Sequence, residues 1–496
     1  MSQIARNFIY GISLCVLILI MSRHFFYNAD YANSSIVWRE FVKNGFYALH
    51  DWKPTSDSWY FTVYPVNFFI FYIFGDDGFI PLIISSAIYS WVVVLVVGFI
   101  TSADNDKINW LLSVCCLTVM HETMFTEGFM THPFAHNSTN AFGFIAILLC
   151  IINKDRNSIL ITTFVSFICL LATSSDMWMA PAFFLPIIIS EFFLILTARR
   201  SKSHIAVLLI FFALSISHVL PRYFNIASQD FKIANIDDVM TNIFLLCDFI
   251  GKNLNIFVID NNITRLFSFI FWSFVFLCST WSLISKKDST ERYIIILCTL
   301  SIAGISSSYI ISNPLPSVWS SRFLINILPM SIIIYCNLEF LNKRRLKYIP
   351  LLLLFIGSLL SFNHTRFGPF HEKTNSDKEY IDFLIKHDLY FGYGDFWSRS
   401  MTINWISNGK ITILPMRIRD YGIDYKNVRW QTMRSWSTDE YRKKSPSKQF
   451  IAVSKGKECP DVNACVDLLI EQNGKPMEIL DYKGDKIMIY NKKLGI

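Results

Sequence analysis

Acidic and aromatic side chains are concentrated in one polar stretch of an otherwise apolar chain, between His24 and Phe79. Asp30 lies a few residues past the first apolar run and precedes a segment with helical apolar spacing. A carboxylate held on a rigid backbone at a membrane surface can act as the general base that takes a proton from an attacking hydroxyl group. The alternative is an interfacial carboxylate that faces water, and the spacing leaves both open.

Two further carboxylates of this stretch are candidates. Glu40, ten residues after Asp30, is a second candidate base, although a solvated helix face beside Arg39 and Lys43 explains it as well. Asp57, in PTSDSWYF, is a candidate for binding a sugar or an acceptor hydroxyl. Serine and aspartate are also common turn residues, and this is the alternative for Asp57.

Polar groups that suit a carbohydrate or phosphate ligand recur further along the chain. His132 and His136, in HETMFTEGFMTHPFAHNSTN, are four residues apart, but Pro133 disfavours a shared helix face, so no metal site is predicted. Asp176 with Trp178 combines an acid with an aromatic plane that fits a sugar face. The alternatives are a plain loop for the histidines and a helix cap for Asp176.

Two arginines stand at the ends of apolar runs. Arg322 opens a run within NPLPSVWSSRFLINILP, and Arg222 follows one within LPRYF. A guanidinium group at such a position can hold a lipid phosphate through two parallel hydrogen bonds. It can equally extend to the lipid headgroups without a specific ligand.

The composition indicates that membrane helices position these residues. Of 496 residues, 53% are hydrophobic and only 17% are charged, against about 25% charged in a typical soluble domain. The net charge of +7 is not a nucleic-acid signal, because the basic residues cluster in short loops between apolar runs. Windows of about 19 residues predict eleven membrane spans. They are Phe8–Arg23, Phe79–Thr101, Asn109–Phe125, Asn140–Asn153, Ser158–Ser175, Met177–Thr197, Ile205–Pro221, Leu266–Ser285, Tyr293–Ser312, Phe323–Leu341 and Tyr348–Phe362.

The loop charges predict an orientation. The basic loops TSADNDKIN, NKDRNS, ARRSKSH, SKKDSTER and NKRRLKY all fall on one side, which should be cytoplasmic together with the N-terminus. The acidic first loop, 24–79, and the tail then lie outside, which in a bacterium is the periplasmic side of the inner membrane. The ionisable residues gather at the outer ends of the spans and not near the midplane, where a transporter needs them.

The tail changes character after residue 362. Charges are spread throughout 363–496, and short alternating runs such as GKITILPM, KQFIAVSK and DKIMIYNKK predict strands. About 130 residues suffice for a small soluble domain. We therefore expect an all-α polytopic membrane bundle over 1–362 and a C-terminal soluble α/β domain over 363–496.

Local patterns add three structural predictions. Tyr31–Phe46 has the spacing of a short helix, and the aromatic segment Tyr60–Phe74 is expected to lie along the membrane surface. Cys459 and Cys465, in KECPDVNACVD, form the one close cysteine pair in a polar segment. We expect a disulfide between them in an oxidising compartment, the alternative being two free thiols.

The order of these elements resembles the GT-C class of membrane glycosyltransferases: one helix, an outer loop with an early acid, surface helices and many spans. About eleven spans with an outer soluble tail resemble the serotype-converting (Gtr-type) O-antigen glucosyltransferases of enteric bacteria and their phages. The tail's sequence YFGYGDFWSRSMTINWISNGKITILP is similar to the tail of related bacterial membrane proteins. The resemblance implies an inverting enzyme that moves glucose from undecaprenyl-phosphate-glucose to a sugar of the lipid-linked O-antigen. It implies no cofactor, no required divalent metal and no nucleic acid, with membrane lipids, the donor flippase and the donor synthase as partners.

The resemblance also implies residue roles. An acid of the first loop acts as base in such enzymes, which points to Asp30 and then to Glu40. A basic residue near a late span meets the donor phosphate, which points to Arg322 or Arg222. This chain lacks the paired acids that many members carry directly after the first helix, so the choice between the two carboxylates stays open.

Other functions compete with this one. An O-antigen polymerase or ligase shares the outer chemistry but is expected to carry arginine-rich outer loops, whereas these loops are acidic and aromatic. A flippase or transporter is disfavoured by the lack of charges near the midplane. An acyltransferase could use His132 or His136, although such enzymes are expected to place histidine and arginine together near the cytoplasmic side.

Overall fold

The computed structural model describes the chain except for short gaps and is mostly helical, at 69%. The described residues are 2–25, 28–55, 57–102, 106–132, 136–196, 200–226, 232–284, 290–338, 345–364, 370–420, 422–427 and 430–496. Helices α1 to α10 are Gln3–Arg23, Ala32–Asn44, Tyr47–Asp51, Tyr64–Phe74, Phe79–Thr101, Lys107–Thr118, Thr123–Thr126, Asn137–Arg156, Ile159–Ser175 and Leu185–Leu196. Helices α11 to α21 are Lys202–Ile216, Val219–Tyr223, Ile236–Asn253, Asn262–Ile284, Thr290–Ser312, Ile327–Asn337, Ile349–Ser361, Phe370–Lys386, Met401–Ile406, Asp439–Lys444 and Val462–Asn473.

Shorter helical turns connect several of these helices. The 3₁₀ turns are Ala29–Tyr31, Val318–Leu324, Arg345–Tyr348, Phe362–His364 and Arg434–Ser437, and the π-helical turns are Ala180–Phe184 and Phe396–Ser400. In the helical part, α5 packs against α1, α6 and α8, while α9 packs against α8 and α11. Side chains from most of these helices share one continuous apolar core.

Several helices are long and apolar enough to cross a membrane. Among the described residues these are α1, α5, α15 and the Asn262–Trp281 part of α14, and the turn Val318–Leu324 with α16 makes a fifth, bent by 42°. Six shorter apolar helices accompany them. Each predicted span overlaps a helix, although Asn109–Phe125 runs past the end of α6 at Thr118 and into α7. The number of helices that cross a membrane stays a prediction. Ends of predicted spans at 197, 285 and 339–341, and parts of four basic loops, lie outside the described residues.

The C-terminal part contains a five-stranded sheet with helices on both faces. The strands β1 to β9 are Trp52–Lys53, Phe391–Asp395, Thr412–Met416, Ile418–Arg419, Gly422–Ile423, Thr432–Met433, Lys448–Val453, Glu478–Tyr482 and Asp485–Asn491. The sheet order is β3-β2-β7-β9-β8, with β2 parallel to β3 and β7 and the remaining pairs antiparallel. Helices α18 and α19 cover one face and α21 covers the other. The three strands predicted in the tail are thus confirmed as β3, β7 and β9.

One local prediction in the first polar stretch is confirmed: the short helix expected over Tyr31–Phe46 is α2. The aromatic segment contains α4, with Pro65 in its first turn, and its place at the membrane surface stays a prediction. The amphipathic helix α13 lies between the predicted spans Ile205–Pro221 and Leu266–Ser285, where the sequence analysis predicts no helix. Cys459 and Cys465 are joined by a disulfide in the structure.

The first polar stretch is bound to the C-terminal part along its length. Arg39 forms a two-point ion pair with Asp77, at 2.6 and 2.7 Å, and donates to the backbone oxygens of residues 404 and 405. Asp51 accepts hydrogen bonds from the backbone and hydroxyl of Ser435, at 2.9 and 2.5 Å. Strands β1 and β6 add an antiparallel pair between the two parts. This strand pair brings the segment around β6 next to the first polar stretch.

Candidate active site

Asp30 is positioned by a short turn that follows α1. Asn28 caps this turn, since its side-chain oxygen accepts a hydrogen bond from the Asp30 backbone N–H at 2.9 Å. The next residue, Tyr31, is fully buried, with its ring 4.6 Å from that of Phe25 and 4.7 Å from that of His132. A capped turn with a buried aromatic neighbour fixes the backbone that carries the Asp30 carboxylate.

Two side chains from distant parts of the sequence meet that carboxylate. The Gln431 amide donates to Oδ1 at 2.6 Å, and His132 Nε2 lies 3.7 Å from Oδ2. Burial raises the pKa of Asp30, but His132, Gln431 and the charge of Arg322 outweigh it, so the pKa lies below its ordinary value. Asp30 is therefore an ionised carboxylate at neutral pH, and its side chain is 20% exposed.

Gln431 reaches Asp30 through the strand pair that joins the two parts of the protein. It directly precedes β6, and its backbone N–H donates to the carbonyl of Lys53 at 2.6 Å. Its φ of 58° places it in the left-handed region, which turns its side chain out of the strand direction. The C-terminal part thus supplies a first partner of the candidate base.

A second carboxylate, Asp176, is completely buried at the end of α9. His136 Nδ1 and Thr139 Oγ1 each lie 2.5 Å from its Oδ2, and the backbone N–H of Trp178 donates to Oδ1 at 3.1 Å. Thr139 is three residues after His136, at the start of α8, so both side chains face Asp176 from one helix end. These three contacts fix the orientation of the carboxylate and of the imidazole.

Close packing of helices keeps the turn after Asp176 in place. A Cβ atom at Gly143 of α8 would lie 2.5 Å from the ring of Phe183, and one at Gly304 of α15 would collide with the carbonyl oxygen of Pro181. Both contacts fall on the π-helical turn Ala180–Phe184. A side chain at either glycine would displace this turn, which directly follows the segment with Asp176 and Trp178.

The third carboxylate, Asp57, is held near Asp176 by backbone contacts between its loop and α9. Ser58 N–H donates to the Ser175 carbonyl at 3.0 Å, and Phe61 N–H donates to the Ser175 hydroxyl at 2.9 Å. Trp59, between them, is buried with a φ of 60°, an unusual conformation for a bulky residue and one that clusters at functional sites. Burial raises the pKa of Asp57 against the opposing charge of Arg322.

Arg322 lies among the three carboxylates. Its guanidinium carbon is 5.0 Å from the ring centre of Trp319 and 5.4 Å from that of Phe323, both on the same turn, Val318–Leu324. The charges of Asp57, Asp30 and Asp176 all act on this guanidinium group. We call this set the acidic cluster; it consists of Asp30, Asp57, His132, His136, Asp176, Arg322 and Gln431.

Several polar atoms of the acidic cluster are buried without a hydrogen-bond partner. Within the described part of the chain these include Arg322 Nε, His136 Nε2 and the amide oxygen of Gln431. An unsatisfied buried polar group costs about 1–3 kcal/mol, so such groups are rarely grouped without reason. Unsatisfied donors and an unsatisfied acceptor within one cluster suit a polar ligand with several hydroxyl or phosphate oxygens.

Most of the sequence candidates are brought together here, but two are not. Glu40 is half-buried on α2, accepts a hydrogen bond from Asn44 at 2.9 Å and faces Tyr441 of the C-terminal part. Arg222 is exposed and lines a different cavity. Trp178 stacks on Phe323 with ring centres 4.2 Å apart, so one of its faces is covered.

Two members of this environment were missed by sequence reasoning. Gln431 lies 401 residues from Asp30, and nothing in its surroundings, VRWQTMR, marks it as a site residue. Thr139 could have been found, because it shares a helix face with His136 once α8 is known to begin at Asn137. Among the described residues, no group of three histidine, cysteine or acidic side chains is arranged to hold a metal ion.

Comparison of the chain with family models and with curated proteins gives no match. The acidic cluster must therefore be interpreted from its own geometry and chemistry.

Proposed function

We propose that the protein is a membrane glycosyltransferase that moves a hexosyl group from a polyprenyl-phosphate-sugar to a sugar hydroxyl, with Asp30 as the base. The observation that carries this proposal is the acidic cluster. It combines an ionised, partly exposed carboxylate with a buried guanidinium group whose Nε has no partner among the described atoms. A transfer with phosphate as the leaving group needs both a base for the attacking hydroxyl and a cation for the departing oxygen.

The bonds change in one displacement at the anomeric carbon. The acceptor oxygen forms a bond to that carbon while its proton passes to Asp30. The bond from the carbon to the phosphate oxygen breaks, and its electron pair leaves with the lipid phosphate. Attack from the face opposite the leaving group inverts the anomeric centre; in this proposal Asp30 acts on the acceptor oxygen and Arg322 on the leaving phosphate.

The remaining residues of the acidic cluster hold the reactants. His132 borders Asp30 and limits its rotation, and Gln431 holds the other carboxylate oxygen. Asp57 and His136 present polar atoms that can bind sugar hydroxyls, while Asp176 fixes His136 and Trp178 borders the sugar site. Holding both reactants in line supplies a large part of the rate enhancement in such a reaction.

The donor, acceptor and compartment follow from the membrane character and the resemblance of the element order. We propose undecaprenyl-phosphate-glucose as donor and a sugar of the lipid-linked O-antigen as acceptor, on the periplasmic side of a bacterial inner membrane. The apolar helices support a membrane protein, and an acid after the first helix supports the GT-C type of reaction. The flippase and the synthase that provide the donor are the expected partners, and serotype conversion is the expected outcome.

Reconstitution of the purified full chain with both lipids tests the proposal. We expect one hexose to be added per acceptor repeat. Arg322→Ala should lower kcat by about a hundredfold or more, because the leaving phosphate loses its cation. Arg322→Lys, which keeps the charge without the two-point fork, should retain part of the activity.

The products decide between this function and its alternative. Lengthening of the O-antigen by whole repeats would instead indicate a polymerase, and transfer to a lipid A acceptor would indicate a ligase. Unchanged acceptor with both lipids present would contradict the proposed reaction.

A further inference from the structure

A second polar region adjoins the acidic cluster but has the opposite charge. A cavity of about 350 Å³ is lined by Lys53, Pro54, Arg222, Asn225, Ile226, Trp430 and Arg434. A smaller cavity of about 120 Å³ shares Lys53 and Trp430 with it and adds Arg417, Arg419 and the carboxylate of Asp424. We call the larger one the basic cavity.

The two arginines of the basic cavity have no acidic partner in the described part of the chain. No carboxylate is among the described residues that line the cavity, and among them neither Arg222 nor Arg434 forms an ion pair with an acid. Arg434 donates one hydrogen bond to the carbonyl of Asn225 at 2.8 Å, but its buried Nε has no partner in that part of the chain. Burial and the charges of Arg434 and Arg417 lower the pKa of Lys53. Two arginines that lie close to a lysine and are not paired with a described acid favour an anionic ligand.

The basic cavity and Asp30 share a wall. Trp430 lines the cavity, with Lys53 Nζ 5.1 Å from its ring centre, and the next residue, Gln431, donates to Asp30. The hydrogen bond from Gln431 N–H to the Lys53 carbonyl ties the two sides together. One residue, Gln431, therefore connects the wall of the basic cavity to the proposed base.

Apolar side chains lie in and beside the same cavity. Ile226 and Trp430 line it, and Arg222 lies in α12, whose Val219 and Tyr223 are 46% and 70% exposed. This helix follows the apolar helix α11. A basic pocket beside exposed apolar and aromatic side chains matches a ligand with an anionic head and a hydrocarbon chain.

We infer that the basic cavity binds the diphosphate of the lipid-linked acceptor, and so presents the acceptor sugar to Asp30. The inference rests on the proposed function, in which Arg322 serves the donor monophosphate. A diphosphate carries more charge than a monophosphate and spans more than one cation, which fits two arginines and a lysine around one cavity. The acceptor and the donor then approach Asp30 from separate anion sites.

Binding of lipid phosphates to the full chain in detergent tests this without turnover. Geranylgeranyl diphosphate, geranylgeranyl monophosphate and inorganic pyrophosphate are compared by calorimetry on the wild type, Arg222→Gln, Arg434→Gln and Lys444→Gln. Arg222 is exposed, so its replacement should not disturb folding, and Lys444 is an exposed control in α20. We expect each arginine variant to bind the lipid diphosphate about tenfold more weakly and the control to be unchanged.

Several results would overturn the inference. One is unchanged diphosphate affinity in Arg222→Gln; another is inorganic pyrophosphate binding as tightly as the lipid. Weaker binding of the variants to phosphatidylglycerol vesicles alone would mark a membrane contact. In the transfer assay, the KM for the acceptor should rise in the two arginine variants while the KM for the donor stays constant. A higher KM for the donor with an unchanged KM for the acceptor would assign the cavity to the donor.

Failure of the proposed function would look different. If no sugar is transferred by the wild type but the lipid diphosphate still binds through Arg222 and Arg434, the basic cavity stands as a lipid diphosphate site and the transferase reaction is wrong.

Discussion

The acidic cluster contains two histidine–aspartate pairs that differ in how completely the carboxylate is bound. Asp176 is fully buried and receives three hydrogen bonds, from His136, Thr139 and the backbone of Trp178. Asp30 is 20% exposed, has one short hydrogen bond, from Gln431, and lies 3.7 Å from His132. The two pairs contain the same residue types, but their carboxylates differ in exposure and in the number of hydrogen bonds that they accept.

The difference separates a positioning residue from a reactive one. A carboxylate whose oxygens are occupied by protein donors can orient its partners but has little capacity left for a substrate. A carboxylate with one oxygen held and part of its side chain exposed can accept a proton from an incoming hydroxyl group. On this reasoning Asp30 reacts, and Asp176 keeps His136 and Trp178 in place.

The largest expected effect is that of Asp30→Asn. The amide cannot accept the proton, so we expect kcat to fall by about 10³-fold or more while the protein level and the thermal unfolding temperature stay unchanged. Radiolabelled sugar transfer in membranes measures the rate. Glu40→Gln, in the same segment, is the matched control and should stay within about threefold of the wild type. Strong loss in Glu40→Gln with activity retained in Asp30→Asn would exchange their roles.

Asp176→Asn should instead act mainly on stability. It removes a buried charge that accepts from His136 and Thr139, and we expect a loss of about 3 kcal/mol in the free energy of unfolding. Activity should fall by a smaller factor than in Asp30→Asn, about 10–100-fold, because His136 loses its orientation. Thermal unfolding followed by fluorescence measures the first effect. A variant as stable as the wild type would remove the distinction between the two pairs.

Gln431→Ala tests whether the sheet domain contributes to the reaction. Without the hydrogen bond, Asp30 can rotate, and we expect kcat to decrease by about tenfold with little change in either KM. Gln431→Glu places a second negative charge beside Asp30 and should raise its pKa, which shifts the acid limb of the pH profile upward. An unchanged profile in Gln431→Glu would mean that residue 431 has only a structural role.

The pH dependence gives the smallest but most selective effect. The pKa of Asp30 lies below its ordinary value and that of Asp57 above it. If Asp30 is the base, kcat/KM should not decrease between pH 7 and about pH 5, since the carboxylate loses its charge only below about pH 4. If Asp57 is the base, the decrease should appear at a higher pH. The profile is measured on the wild type and on Asp57→Asn.

Much of the fold was accessible from the sequence, because its signals are local. Apolar runs predicted most of the helices, and the alternation of apolar and polar residues in the tail predicted β3, β7 and β9. Helix α13 was missed because Asp237, Asp238 and Asp248 interrupt the apolar run along its sequence, which is the pattern of an amphipathic helix and not of a membrane span. A search for that periodicity would have found it.

The site was accessible only in part. Asp30, Asp176 and Arg322 were recognised by their position at the ends of apolar runs, where ionisable groups are costly and few, and Asp57 as an acid of the first polar stretch. Gln431 could not be recognised, because its role depends on how β1 and β6 pair across most of the chain. Pairing at such distance is set by tertiary packing and leaves no local pattern.

The hydrogen bond between Gln431 and Asp30 also sets an order of events during synthesis. The ribosome makes Asp30 early and Gln431 401 residues later, and domains generally fold as they emerge. A nascent or truncated chain therefore carries the acid without the amide that orients it. If Asp30 is the base, as proposed, the full rate is reached only after the C-terminal part has been synthesised and has docked on the first polar stretch.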